Sequence, residues 1–349
     1  MPYNWKILAF LLALCLPQCS GALAQTDNPE GYRLSDPVVQ GNLAIYFVYG
    51  KSRGGPIPLT LQEALARKVI TVRETGRVNE LQVENTGAEE IFIQSGDIVK
   101  GGQQDRVLGV SMVLAPHSGA IPIDSFCVES GRWSARGAED PKTFSSAASA
   151  LPSRSAKLAV ASTLTKQPDG GDTSVSTRQQ EVWKNVAQFQ QKLSANLGSS
   201  VAAPRSRTSL QLTLEDSRLA GEQADYIAAL QPKGEQNDDI VGYVFALNGQ
   251  INSANIYPSN GLFRKMWPKL LRASVTEAIG ERSADTPPAP PTTAVSGFIG
   301  SADRGRAVEA KAGARANVSV RESTRAMVLE ARPANAPAAG WVYRSYLAK

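Results

Sequence analysis

The chain is poor in the side chains that most often make and break bonds: its 349 residues include one histidine, His117, and three cysteines, Cys15, Cys19 and Cys127. One imidazole and one or two thiols cannot furnish the three or four ligands of a zinc site, so no metal is expected from that chemistry. Any Ser-His-Asp arrangement would have to use His117. No Gly-x-Ser-x-Gly elbow, dinucleotide fingerprint or Walker loop is present, and no cofactor is implied. Beyond the first residues no stretch approaches the ~18–20 apolar residues that a membrane span requires. Excess charge is scarce as well. The 37 basic residues face 32 acidic ones and are dispersed rather than clustered with aromatics, which excludes the footprint of a nucleic-acid groove. What remains is ordinary globular material, 42% hydrophobic and 20% charged, on a chain long enough to bury roughly 75% of its extended surface.

Lys6, the apolar run Ile7–Leu16 and the small-residue end Ala22-Leu23-Ala24 read as a secretory signal peptide over residues 1–24. Ten apolar residues make a helix of only about 15 Å, too short to be a stable membrane anchor. Lipid attachment at Cys19 is the alternative, and Leu16-Pro17-Gln18 places bulky or rigid residues where that processing needs small ones. Cleavage after Ala24 would leave Cys127 as the sole thiol of an extracytoplasmic protein, periplasmic or secreted.

Residues 25–349 read as one α+β unit, a largely antiparallel sheet assembly with several packed helices. Asn42–Tyr49 reads as a strand, and Thr60 with Glu63 as a capping box opening a short helix. Strands follow at Ile70–Arg73, Glu80–Glu84, Glu90–Gln94, Arg106–Leu114 and Ala120–Glu129. Residues 134–172 have little periodicity and read as a flexible excursion or covering loop. Ser176 and Gln179 suggest a second capping box, ahead of a helix whose Val182, Val186, Phe189 and Leu193 share one face. A further helix is expected over about 215–230. Val241–Leu247, Asn248-Gly249 and Gln250–Tyr257 form the clearest local signal, a hairpin with a two-residue type I′ turn. Leu262–Ile279 reads as a helix despite Pro268, 285–293 as a Pro-rich loop, and Asn317–Ala331 and Trp341–Leu347 as strand-like.

Glu74, Lys100-Gly101-Gly102-Gln103-Gln104-Asp105-Arg106, Cys127-Val128-Glu129-Ser130-Gly131-Arg132-Trp133, Gln180-Glu181-Val182-Trp183 and the Asn248-Gly249 hairpin stand in a characteristic order. In that order and spacing the chain resembles the ARG and rhodanese-phosphatase-superfamily-associated protein domain from about Gly31 to Leu347. The resemblance carries no established reaction. The family's genomic company with ADP-ribosylglycohydrolases and phosphatase-like proteins implies, by association alone, nucleotide or ADP-ribose chemistry.

The candidate residues lie in two of these segments. Lys100, Gln103 and Arg106, with the amides of Gly101 and Gly102, could cradle a small anion, or could form a tight turn between strands. Alternation along a strand puts Ser125, Cys127 and Glu129 on one face. Cys127 would need His117 as its base to act as a nucleophile, whereas a buried thiol is also ordinary packing. Glu129 with Arg132 fits a structural ion pair as well as an acid/base role, and Trp133 and Trp183 fit a core as well as a stacking platform. Asp238-Asp239 lacks the alternating acidic spacing of a calcium loop. The resulting expectation is a non-catalytic ligand-binding or accessory protein. Its ligand-binding residues would be Lys100, Gln103, Arg106, Arg132 and Trp133, and its partner a small anionic ligand or an envelope protein. The alternative is a hydrolase or transferase acting on a phosphorylated or ADP-ribose-like ligand through Cys127 or Glu129.

Overall fold

The hairpin is the seed of the architecture. In the computed structural model, which describes residues 31–134, 142–165, 175–308, 310, 317–334 and 340–349, strands Ile240–Leu247 and Gln250–Ile256 pair antiparallel. Asn248 and Gly249 adopt φ of 48° and 73°, the positive values that a type I′ turn demands. The leader expected over 1–24 lies outside the described residues. Leu43–Tyr49 adds to one side of the hairpin and the C-terminal strand Tyr343–Ala348 to the other, followed by Ala326–Arg332, Asn317–Glu322 and Arg306–Val308. Two short strands, Arg33–Leu34 and Val38–Gln40, both pair with Leu43–Tyr49 and complete nine.

Both faces of this sheet are covered, as the near-continuous apolar strand implies. Leu43, Ile45, Phe47, Tyr243, Phe245 and Leu247 face the main core, and their sequence neighbours Ala44, Tyr46, Val48, Val244 and Ala246 face a second one. Over the main core lies the helix Asn260–Gly280, capped by Ser259 and continuing through Pro268. Its Trp267 meets Phe47 and Tyr243 edge-on, with ring centroids 5.5 and 5.1 Å apart. Helices Ser217–Glu235 and Val175–Asn196 flank it. The second face is closed by helix Thr292–Asp303 through Val295, Phe298, Ile299 and Ala302. This helix starts where the Pro-rich loop ends and is absent from the sequence reading.

The N-terminal half builds two smaller sheets. Six antiparallel strands run in the order Phe144–Ser146, Ile98–Gly101, Arg106–Leu108, Gly119–Cys127, Glu80–Asn85, Ile70–Glu74. Three more, Met112–Leu114, Ile91–Ile93 and Leu59–Thr60, form a sheet in which the last pair is parallel. The continuous strand read over Arg106–Leu114 is therefore two strands in different sheets. The Thr60 capping box is present in both directions, Glu63 N to Thr60 Oγ1 at 3.2 Å and Thr60 N to Glu63 Oε2 at 2.8 Å.

Two further readings need correction. Within the expected excursion 134–172, residues Phe144–Ser146 form an edge strand and Arg154–Ala161 a helix, and Leu151, Ala156, Val160 and Leu164 are buried. Small residues let this segment pack closely without a strong apolar period. The helix start read at Ser176 with Gln179 is also displaced: Ser176 already lies inside the helix, and the Gln179 side-chain amide bridges both backbone groups of Cys127 at 2.9 Å. No helix among the described residues is long and apolar enough to cross a membrane.

Candidate functional site

Strand pairing decides which of the candidate residues meet. Arg106 and Cys127 are direct partners in neighbouring antiparallel strands, so their side chains share a face. The Arg106 side chain is fully buried. Its Nη1 donates to Gln104 O at 2.8 Å, its Nη2 reaches Glu74 Oε2 at 3.4 Å, and its guanidinium lies 4.9 Å from the centre of the Trp133 ring. Gln103 contributes its backbone rather than its side chain: its N–H donates to Glu74 Oε1 at 2.8 Å and its carbonyl accepts from Arg132 Nη1 at 3.1 Å. Gly102 is required at the crossing. Its φ is 60°, and a Cβ there would lie 2.2 Å from the Phe144 ring and 2.7 Å from Glu74 Oε1.

Glu129 lies two residues beyond the end of its strand, where the backbone leaves the sheet and its carboxylate turns to Arg132. Two parallel bonds of 2.7 Å join them, Nε to Oε1 and Nη2 to Oε2, and Ser206 Oγ also donates to Glu129. Glu129 is completely buried. Two acids and two arginines thus neutralise one another beneath Trp133, which is 45% exposed and roofs the cluster. That arrangement fixes three segments in register. Within it Glu74 and Glu129 each face an arginine, and Arg106 Nε is a buried donor with no hydrogen-bond partner among the described residues.

The remaining candidates do not join the cluster. Lys100 pairs with Glu215 at 2.8 Å on the surface. Trp183 belongs to helix Val175–Asn196. His117 stands in an exposed turn before the nine-residue strand Gly119–Cys127, so that about 27 Å of strand separates it from Cys127. A Cys127–His117 pair cannot form. Burial pushes the Cys127 thiol up to about 11; nearby Arg106 pulls it down, and Glu74 and Glu129 push it up further. Such a thiol carries almost no thiolate at neutral pH. Asp238 and Asp239 are each taken by an arginine, Arg264 and Arg33.

The open space lies elsewhere, in residues that the sequence reading passed over. A pocket sits between the inner face of the large sheet, the loop at Gln94–Gly96 and the helices Arg154–Ala161 and Asn260–Gly280. Its free cavity volume is about 50 Å³, room for a few water-sized groups, within a wider recess that opens to solvent. Leu151, Val160, Leu164, Leu270 and Leu329 line it beside Gln94, Ser95, Tyr243, Ser253, Asn255 and Ser345. One signal was legible. Asn252, Ser253 and Asn255 are polar residues in a strand paired with an all-apolar one, and all three are buried.

Searches against curated proteins and against solved structures gave no match. A family model does match, over residues 31–346, and it spans the six-stranded sheet, the buried ionic cluster and all of the pocket's lining but Leu347. The chain therefore belongs to the family of the ARG and Rhodanese-Phosphatase-superfamily-associated Protein domain.

Proposed function

We propose that this protein is a non-catalytic binding protein that holds a small molecule between its large sheet and the helix Arg154–Ala161, and that it does so outside the cytoplasm. The observation that carries the reading is the pocket itself, an apolar cavity with converging polar groups in the centre of the fold. The described residues that sequence chemistry nominates for catalysis support it by their placement. Cys127 is buried and protonated, His117 is a strand's length away, and Glu129 is committed to Arg132. Export is supported by the leader read over 1–24 and by the burial of Cys127, which shields the thiol from oxidation.

A thermal-shift screen with small neutral and charged molecules tests the binding reading, since a ligand that prefers the folded state raises its unfolding temperature. Hits should stabilise the wild-type protein and fail to stabilise Ala273→Phe, which fills the pocket from the helix side. Equal shifts in both proteins, or turnover of any tested compound, would overturn it. Export is tested by sequencing the mature amino terminus: Gln25 is expected, and an intact Met1 on cytosolic material would contradict the assignment.

A further inference from the structure

The pocket's lining identifies the kind of molecule it takes. Across the large sheet, Tyr243, Asn255, Ser345 and Leu329 are successive direct partners and form one row on the inner face; Phe245, Ser253 and Leu347 form the next. Polar groups therefore gather on the hairpin side of the floor. Leu329, Ala331 and Val318 make the other side, and Val160, Ala161 and Leu270 the roof.

The charges around this space are balanced. Lys157 Nζ lies 3.4 Å from Glu277 Oε2, while Glu277 Oε1 accepts from the Arg154 N–H at 2.5 Å and from Asn252 Nδ2 at 3.0 Å. Behind the Gln94 loop, Asp97 holds Lys269 at 2.6 Å. The phenols of Tyr243 and Tyr343 are neutral because burial raises both above their ordinary value. An ion entering here would lose its hydration and meet, among the described residues, only charges already paired, the lining Lys157 with Glu277 included.

Ser253 supplies the second observation. It is 2% exposed and lines the pocket, yet its Oγ has no hydrogen-bond partner among the described residues. A buried hydroxyl left without a partner costs free energy that a bound group can return.

We propose that the pocket binds an uncharged molecule with an apolar flank and a hydrogen-bonding edge, such as an amide or hydroxyl, and that this edge meets Ser253. The inference rests on the binding reading above and sharpens it to one ligand chemistry. Benzamide, benzoate and benzylamine share a ring and differ in the charge of the polar head. Each is titrated into the full chain carrying methyl-labelled leucine and alanine, and the shifts of Leu270, Leu329 and Ala273 are followed. Benzamide should move these signals and bind at least fivefold more tightly than either ion. Ser253→Ala should weaken benzamide about five- to tenfold and leave the unfolding temperature unchanged or raised, because it removes an unpartnered hydroxyl. A purely structural hydroxyl would instead lower stability and leave the affinity alone. If Ser253→Ala does not fold, Ser345→Ala serves in its place, with a smaller loss expected. Benzoate or benzylamine binding as well as benzamide at these methyls would overturn the neutral-ligand inference while binding itself stands. No movement of these methyls with any of the three would overturn both.

Discussion

At the scale of single residues, Arg106 shows how a strongly charged side chain is held inside the fold. It is enclosed by Glu74, the Gln104 carbonyl and the Trp133 ring, so removing it takes the counterion from the part-buried Glu74 carboxylate and leaves a fully buried gap. Arg106→Met should therefore lower the unfolding free energy by about 3–5 kcal/mol in urea titrations. Lys100→Met, whose partner Glu215 is on the surface, should cost well under 1 kcal/mol. Cys127 makes a second prediction. Its folded value of about 11 lies above the 9.0 of a free thiol, and Tyr243, Tyr257 and Tyr343 are raised in the same direction by burial. In alkali the unfolded chain loses these protons before the folded one does. Stability should be complete below about pH 9 and decline as the pH rises through about 11. A thiol reagent at pH 8 should leave Cys127 of the native protein unmodified and label it rapidly after denaturation. Fast labelling of the native state would show that the cluster opens.

At the scale of elements, local rules explain what forms early and alone. Thr60→Ala removes the hydroxyl that accepts from Glu63 N and should cost about 1 kcal/mol, measured by thermal unfolding. The capping box and the Asn248-Gly249 turn were legible because each is specified within a few residues. So was the stripe Val182, Val186, Phe189 and Leu193, all of them buried. Helix Thr292–Asp303 carries an equally regular stripe at Val295, Phe298, Ile299 and Ala302, but Gly297, Gly300 and the preceding prolines obscure it. The turn within Lys100–Arg106 was readable from its glycines. The role of Arg106 was not, because Glu74 and Trp133 come from distant segments and meet it only through the sheet. The pocket is harder still. It draws on nine separated segments, and only the polar run Asn252-Ser253 with Asn255, out of place in a buried strand, marks it locally.

At the scale of the molecule, the nine-stranded sheet divides the interior into two cores, and the pocket and the six-stranded sheet lie on the same side of it, in the main core. The C-terminal strand Tyr343–Ala348 is inserted between the hairpin and Ala326–Arg332, so residues nearly a hundred positions apart line one floor. The salt-bridged cluster under Trp133 belongs to the six-stranded sheet and holds its loops. The recess above Ser253 belongs to the large sheet and is where we propose that a guest molecule sits. The most direct measurement is a crystal structure of the protein soaked with benzamide. The expected result is density for the ring against Leu270 and Leu329 with its amide on Ser253. Density stacked on Trp133 beside Arg106, with the central recess empty, would contradict it.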